Sequence, residues 1–197
     1  MAHLHERGYP VPAVDEVSDD GTELVMERIE GSSMVEAIGR APWHIRRYGR
    51  MLAELHLRLH ELPAPEFFRA SPLGPGRAIV HLDLHPLNVM IGPRGPVVID
   101  WANAAAGDGE VDVALAWALM VSGDIPGNRA KARLFGLARS VLVGSFLAPF
   151  DRTLVAARLG AAVDYKANDA HMSGSEIATM RNLVRREGTG PAQDEIG

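Results

Sequence analysis

The chain has 197 residues, 47% of them hydrophobic, with 20 Lys plus Arg against 25 Asp plus Glu for a formal net charge of −5. That length suits one domain with a real core, or one large and one small lobe, and mild acidity disfavours sequence-independent nucleic-acid binding. The absence of cysteine excludes a disulfide framework and Cys-based zinc sites.

No apolar run approaches the ~18 to 20 residues of a membrane span. The opening Met1-Ala2-His3-Leu4-His5-Glu6-Arg7 lacks the apolar stretch of a signal peptide. A cytoplasmic protein with no membrane and no nucleic-acid partner is therefore expected.

Residues 1–12 read as the end of a short helix and an extended Pro-Val-Pro segment. Val14 to Val17 and Thr22 to Ile29 read as two strands joined by the turn Ser18-Asp19-Asp20-Gly21. Ser32 or Ser33 can cap a short helix to Ile38. Pro42 to Leu62 is the clearest helix, because Ile45, Tyr48, Leu52, Leu55, Leu59 and Leu62 form one apolar stripe. Pro63-Ala64-Pro65 stops it, and a Pro- and Gly-rich loop runs to Arg77. Short strands follow at Ala78–Val80, Val89–Ile91 and Val97–Ile99, with a turn at Gly92–Gly95. Gly107–Gly109 reads as a loop before a helix over Val111–Val121. Three further helices, broken near Asp124–Gly127, Pro149 and Asn168–Ser175, run to about Glu187. Strands before residue 100 and helices after it make an α+β pattern.

The chemistry is concentrated at 81–112. His81, Asp83, His85, Asn88 and Asp100 all sit at the ends of short apolar strands. Buried there without partners they would cost free energy; in loops they can converge on one cleft. Asp83 and Asn88 lie five apart across a tight loop, and Asp100 ends the next hairpin. Two carboxylates and a carboxamide oxygen make a hard-oxygen site, suited to Mg²⁺ rather than zinc.

His81-Leu82-Asp83-Leu84-His85-Pro86-Leu87-Asn88-Val89-Met90, followed by Val98-Ile99-Asp100-Trp101, resembles the catalytic loop and metal-binding Asp of the aminoglycoside phosphotransferase and choline kinase family. These are small-molecule relatives of protein kinases. The kinase pattern runs from a catalytic Asp to an Asn five residues on, then to a metal-binding Asp. Gly107-Asp108-Gly109-Glu110-Val111-Asp112-Val113-Ala114 resembles a further segment of that family. Leu24-Val25-Met26-Glu27-Arg28-Ile29-Glu30-Gly31 resembles its hinge strand.

The resemblance implies a protein-kinase-like fold: a mostly helical large lobe with a truncated small β lobe. It implies a remnant of the N-terminal lobe and hinge over 1–30, a helical C-terminal lobe with the catalytic loop over 31–187, and a flexible tail over 188–197. ATP and Mg²⁺ are the implied cofactors, and a small molecule bearing a hydroxyl the implied substrate. Asp83 would accept or orient the proton of the attacking hydroxyl. Asn88 and Asp100 would hold the metal. His81 would fix the loop, His85 would support it or line the cleft, and Asp112 would cap backbone N–H groups and brace it. Adenine would meet the backbone of Glu27 and Ile29, with Met26 at the back of the pocket.

The chain departs from the family pattern in two respects. No Gly-rich segment precedes the hinge, and no lysine precedes Lys131; Lys131 and Lys166 are the only two. A fragment or late start, a true short form and a degenerate scaffold all fit that departure. Slow catalysis at best is expected from this chain. Two other readings stand beside the phosphotransferase: a non-catalytic nucleotide-binding or interaction module, in which exposed apolar surface makes a homodimer, and a metal-dependent hydrolase built on His-x-Asp-x-His. His56 and His60, four apart on one helix, read as a surface or loop-packing pair. Asp124, Asp164 and Asp169 are ordinary on solvated helix ends, or face a cationic substrate.

Overall fold

The computed structural model describes residues 1–20, 22–123 and 129–188. Gly21 of the expected hairpin turn, the break at Asp124–Gly127 and the tail from Thr189 onward lie outside them.

A short helix α1 (Ala2–Glu6) leads into an extended segment that is tied to the body of the protein. Tyr9 is buried and its hydroxyl donates to Leu55 O at 3.0 Å, while Val98 N donates to Pro10 O at 2.8 Å. Strands β1 (Val14–Val17) and β2 (Leu24–Met26) pair antiparallel, so the second strand is shorter than the expected Thr22–Ile29. Ser18 Oγ and the Thr22 hydroxyl both donate to the Asp20 carboxylate, which organises the turn through side chains.

Ser33 ends a two-residue strand β3 (Ser32–Ser33) and caps α2 (Met34–Arg40). Its hydroxyl accepts from Glu36 N, and Glu36 accepts from Ser33 N, which makes a capping box. A single 3₁₀ turn over Pro42–His44 then opens α3 (Ile45–His60), which buries Leu52, Leu55 and Leu59 along the expected stripe.

The large lobe is organised around α4 (Gly109–Ser122), whose residues from Val111 to Ala118 are all buried. A helix apolar on every side belongs at the centre of a bundle. It packs on α6 (Arg152–Lys166) and α7 (Gly174–Gly188), while α3 packs on α5 (Arg129–Leu147). Caps set the ends: Asp108 accepts from Glu110 N at the start of α4, and Asp151 accepts from Thr153 N and Leu154 N at the start of α6. Arg139 donates to Val121 O and Gly123 O, satisfying carbonyls at the C-terminus of α4. Among the described residues no single helix is long and apolar enough to cross a membrane.

Two small antiparallel pairings frame the loops of interest. Strand β4 (Ala78–Val80) pairs with β7 (Ala105–Gly107), a strand where a loop was expected. Strands β5 (Val89–Gly92) and β6 (Gly95–Val98) form a hairpin, with β3 on the outer edge of β5. The β7 strand escapes sequence reading because Ala105-Ala106-Gly107 has weak strand propensity and is held by its partner. Gly76 is required beside it: a Cβ there would lie 1.9 Å from Gly107 O.

Candidate active site

Both chemistry-bearing segments are bracketed by the same strand pairs. Residues 81–88 leave β4 and enter β5; residues 99–104 leave β6 and enter β7. Since Val80 is opposite Ala105 and Val89 opposite Val98, both ends of the two loops are held side by side. Each loop contains one non-glycine residue in the left-handed region, Leu82 (φ 61°) and Asp100 (φ 63°), and no others occur among the described residues. Such conformations cost on the order of 1–3 kcal/mol each and persist only where surroundings over-determine them.

Those surroundings are visible. The Asp112 carboxylate, buried in the first turn of α4, accepts from His81 N at 3.1 Å and from Leu82 N at 2.7 Å. Its Oδ2 also lies 3.0 Å from His60 Nε2. Burial alone would raise the Asp112 carboxyl, but the hydrogen bond and charge of His60, with His56 and His81 nearby, hold it well below the usual carboxylate range. On the other side, His81 Nε2 lies 3.0 Å from Ile99 O, and its ring packs on Trp101 with centroids 4.6 Å apart. The Trp101 indole N–H donates to Val98 O at 3.0 Å. His81 is fully buried and its pKa is lowered by that burial, so it ties the two loops together and does not face solvent.

Asp83 and Asn88, both half-buried, form the other end of the arrangement. Asn88 Nδ2 donates to Asp83 O at 2.9 Å and to Asp83 Oδ2 at 3.1 Å. Both partners are oxygens, so the nitrogen assignment is fixed by chemistry, and the Asn88 carboxamide oxygen is left as a free acceptor. Ile99 N donates to Asn88 O at 3.0 Å, which sets Asp100 next to Asn88 in the neighbouring loop. The Asp100 side chain is exposed and has no hydrogen-bond or ion-pair partner among the described residues. The two oxygen donors, one neutral and one anionic, fit a hard divalent cation that completes its shell with water and phosphate oxygens. No group of three His, Cys, Asp or Glu side chains that could hold a metal by themselves occurs among the described residues. His85 Nε2 lies 3.9 Å from Asp83 Oδ2, and burial lowers its pKa, with Asp83 acting in the opposite direction.

The residues expected to form a hinge lie over the β5–β6 turn. Glu27 pairs with Arg94 on that turn, and its carboxylate also accepts from Ala13 N at 3.3 Å. A Cβ on Gly92 would lie 3.0 Å from Glu30 O and 3.9 Å from Ile29 Cγ2, so the segment rides on the hairpin. Glu27 N donates to Ala13 O, while the Glu27 carbonyl and Ile29 N–H have no partner among the described residues. Met26 is 41% exposed.

Comparison with known proteins falls on this same region. The model of the phosphotransferase enzyme family matches residues 69–143, which contain every residue of the two loops. Residues 69–143 resemble that family.

Two solved structures resemble this chain. Amicoumacin kinase hAmiN, solved in complex with AMP-PNP, Ca²⁺ and Ami, superposes with a TM-score of 0.51 at 15% identity, over 94% of this chain and 74% of that one. An aminoglycoside-3'-phosphotransferase of type VIII gives a TM-score of 0.47 at 21% identity, over 94% of this chain and 77% of that one. No curated protein matches the chain. The fold is kinase-like, as the catalytic-loop resemblance implies.

Sequence reasoning missed two contacts around the paired loops. Of the surface and loop-packing readings of His56 and His60, the structure fits the second: His60 is half-buried with Nε2 on Asp112, and His56 beside it is fully buried. Their spacing from Asp112 is 50 residues or more, and nothing local signals it. The second omission is Lys166, at the end of α6, whose Nζ lies 3.0 Å from Asp83 Oδ1 and 3.0 Å from Asp169 Oδ2. Its signal was present: it is one of two lysines in a chain that otherwise uses arginine.

Proposed function

We infer that the chain is an ATP-dependent phosphotransferase acting on a hydroxyl of a small molecule. One observation carries this reading: Asn88 is locked by Asp83 through its amide N–H groups, and is held beside Asp100 by the Ile99–Asn88 backbone bond. The Asp83 carboxylate that would take the proton also accepts from Lys166 Nζ at 3.0 Å, and two oxygen donors for a metal stand next to it. The metal-dependent hydrolase is less well supported, because His81 is buried against Ile99 O and Trp101 and cannot join His85 as an open ligand.

In this reading Asp83 accepts or orients the proton of the attacking hydroxyl. Asn88 Oδ1 and Asp100 would hold Mg²⁺, which when bound neutralises charge on the nucleotide phosphates. The chain contributes position more than covalent chemistry. Asp112 and His81 fix the loop backbone, so Asp83 and Asp100 need not reorganise as charge develops. The Glu27 carbonyl and Ile29 N–H are the edge on which the adenine is proposed to lie. Residues 1–30 act as the small-lobe and hinge part, and 31–187 as the helical part with the catalytic loop.

The test is transfer of labelled γ-phosphate from Mg-ATP to a library of small hydroxyl compounds, with Asp83→Asn as control. A slow but measurable transfer is expected, about 10²–10⁴-fold weaker in Asp83→Asn. Transfer unaffected by Asp83→Asn would reject Asp83 as the proton acceptor.

A further inference from the structure

Lys166 occupies a position that the phosphotransferase reading leaves unexplained. Its ammonium bridges Asp83 Oδ1 and Asp169 Oδ2, each at 3.0 Å, and its side chain is only 10% exposed. Burial disfavours the charged amine, but the hydrogen bonds to Asp169 and Asp83 more than offset that and raise its pKa, so the ammonium persists at neutral pH. It is held from below by helix α6 and by the Lys166–Asp169 turn, where Asp169 N donates to Lys166 O at 3.0 Å.

Beside this bridge lies a cavity of about 400 Å³ lined by Asn103, Tyr165, Lys166, Asn168 and Asp169. Asn103 belongs to the 99–104 loop, Tyr165 and Lys166 to the end of α6, and Asn168 and Asp169 to the turn after it, so the cavity adjoins the proposed reacting carboxylate through Lys166 itself. Its lining offers two carboxamides and a phenol. The single ammonium and carboxylate in the lining are paired with each other. A cation-binding site needs carboxylates that are free to meet the ligand. Here Asp83 and Asp169 are already paired with the chain's own amine, which is tethered and needs no association entropy, and the third carboxylate, Asp100, is the proposed metal ligand.

We propose that Lys166 is a specificity-determining residue that excludes polycationic acceptors, so that the substrate is a neutral hydroxylated compound bound among Asn103, Tyr165 and Asn168. The proposal rests on the phosphotransferase reading for the word substrate, but the charge exclusion stands on geometry alone. An acceptor ammonium entering beside Asp83 would meet Lys166 or have to displace it from two carboxylates at once.

Kanamycin, a polycation rich in hydroxyls, is a suitable probe, and calorimetric titration reads its binding without turnover. The unmutated chain is expected to show no binding below millimolar concentrations. Lys166→Met uncovers Asp83 and Asp169 and is expected to bind kanamycin at least tenfold more tightly, whereas Lys166→Arg keeps the exclusion. Thermal melts check that each variant is folded; should Lys166→Met fail, Lys166→Gln removes the charge while keeping a donor, and carries the same expectation. Micromolar kanamycin binding by the unmutated chain would overturn the proposal, as would a gain below tenfold in the folded neutral variant. Mg-ADP binding, measured on the same samples, separates the two ideas: its loss removes the phosphotransferase reading and leaves the kanamycin result unchanged.

Discussion

His60 Nε2 and Asp112 Oδ2 stand 3.0 Å apart inside the protein, joining the last turn of α3 to the first turn of α4. The pair does more than fasten two helices. Asp112 also receives the backbone N–H groups of His81 and Leu82, so the left-handed turn at Leu82 is held by a carboxylate whose position His60 sets. Gly109 allows this approach, since a Cβ there would lie 2.7 Å from His60 Nδ1. Geometry of the proposed reacting loop is thereby inherited from the packing of the large helices.

Replacing Asp112 by Ala should be among the most damaging single changes. It strands two buried N–H groups and leaves His60 without its acceptor. A loss of about 3–5 kcal/mol is expected, the cost of removing one partner from a buried charged network. Chemical denaturation of Asp112→Ala against the unmutated chain measures it. Asp112→Asn, which keeps the volume and one acceptor, should lose less. Near-equal stability of Asp112→Ala and the unmutated protein would show that the loop is held by something else.

Stability should fall on mild acidification, and His56 is a named cause. Its ring is fully buried, Nδ1 lies 2.9 Å from Leu52 O, and Nε2 has no partner among the described residues. Burial lowers its pKa from 6.5 to about 4. The unfolded chain therefore binds a proton between pH 6.5 and 4 that the folded chain refuses. Stability from this group is complete above pH 6.5 and lost as pH falls towards 4, by about 3 kcal/mol. Asp112 adds a loss only at lower pH, below the ordinary carboxylate value, because its folded pKa is depressed. His56→Phe should flatten the slope between pH 6.5 and 4, with His81, also lowered by burial, supplying a remainder. An unchanged slope in His56→Phe would contradict this assignment.

Two glycines in the α3–α5 layer should respond in opposite directions to alanine. A Cβ on Gly49 would lie 2.6 Å from Leu142 O and 2.7 Å from Ser145 Cβ, so the helices could not keep their approach. Gly49→Ala should destabilise by about 1–3 kcal/mol. A Cβ on Gly144, within α5, would meet nothing within 4 Å, and Gly144→Ala should gain up to about 1 kcal/mol of helix propensity. Thermal melts of the two variants decide the matter; a stabilising Gly49→Ala would refute the close packing.

Local chemistry made some of this molecule readable and distance hid the rest. The α3 stripe, the Ser33 cap, the β5–β6 hairpin and the helices after residue 120 follow from periodicity, turn residues and breakers. The spacing of Asp83, Asn88 and Asp100 is likewise short-range, since one loop and one hairpin bring them together. What was not legible depends on partners far along the chain. The β7 strand exists because β4 lies beside it; His60 reaches Asp112 across 52 residues, and Lys166 reaches Asp83 across 83. His56 and His60 look alike on a helical wheel, yet one meets a backbone carbonyl and the other a carboxylate. No pattern within α3 separates them.

The central claim is that Asn88 and Asp100 form a metal-dependent nucleotide site beside Asp83. Calorimetric titration of ADP, with and without Mg²⁺, into the unmutated chain and into folded Asp100→Ala tests it most directly. Binding that requires Mg²⁺ and weakens by about tenfold or more in Asp100→Ala is expected. No binding by the unmutated chain, or equal binding by both proteins, would contradict it.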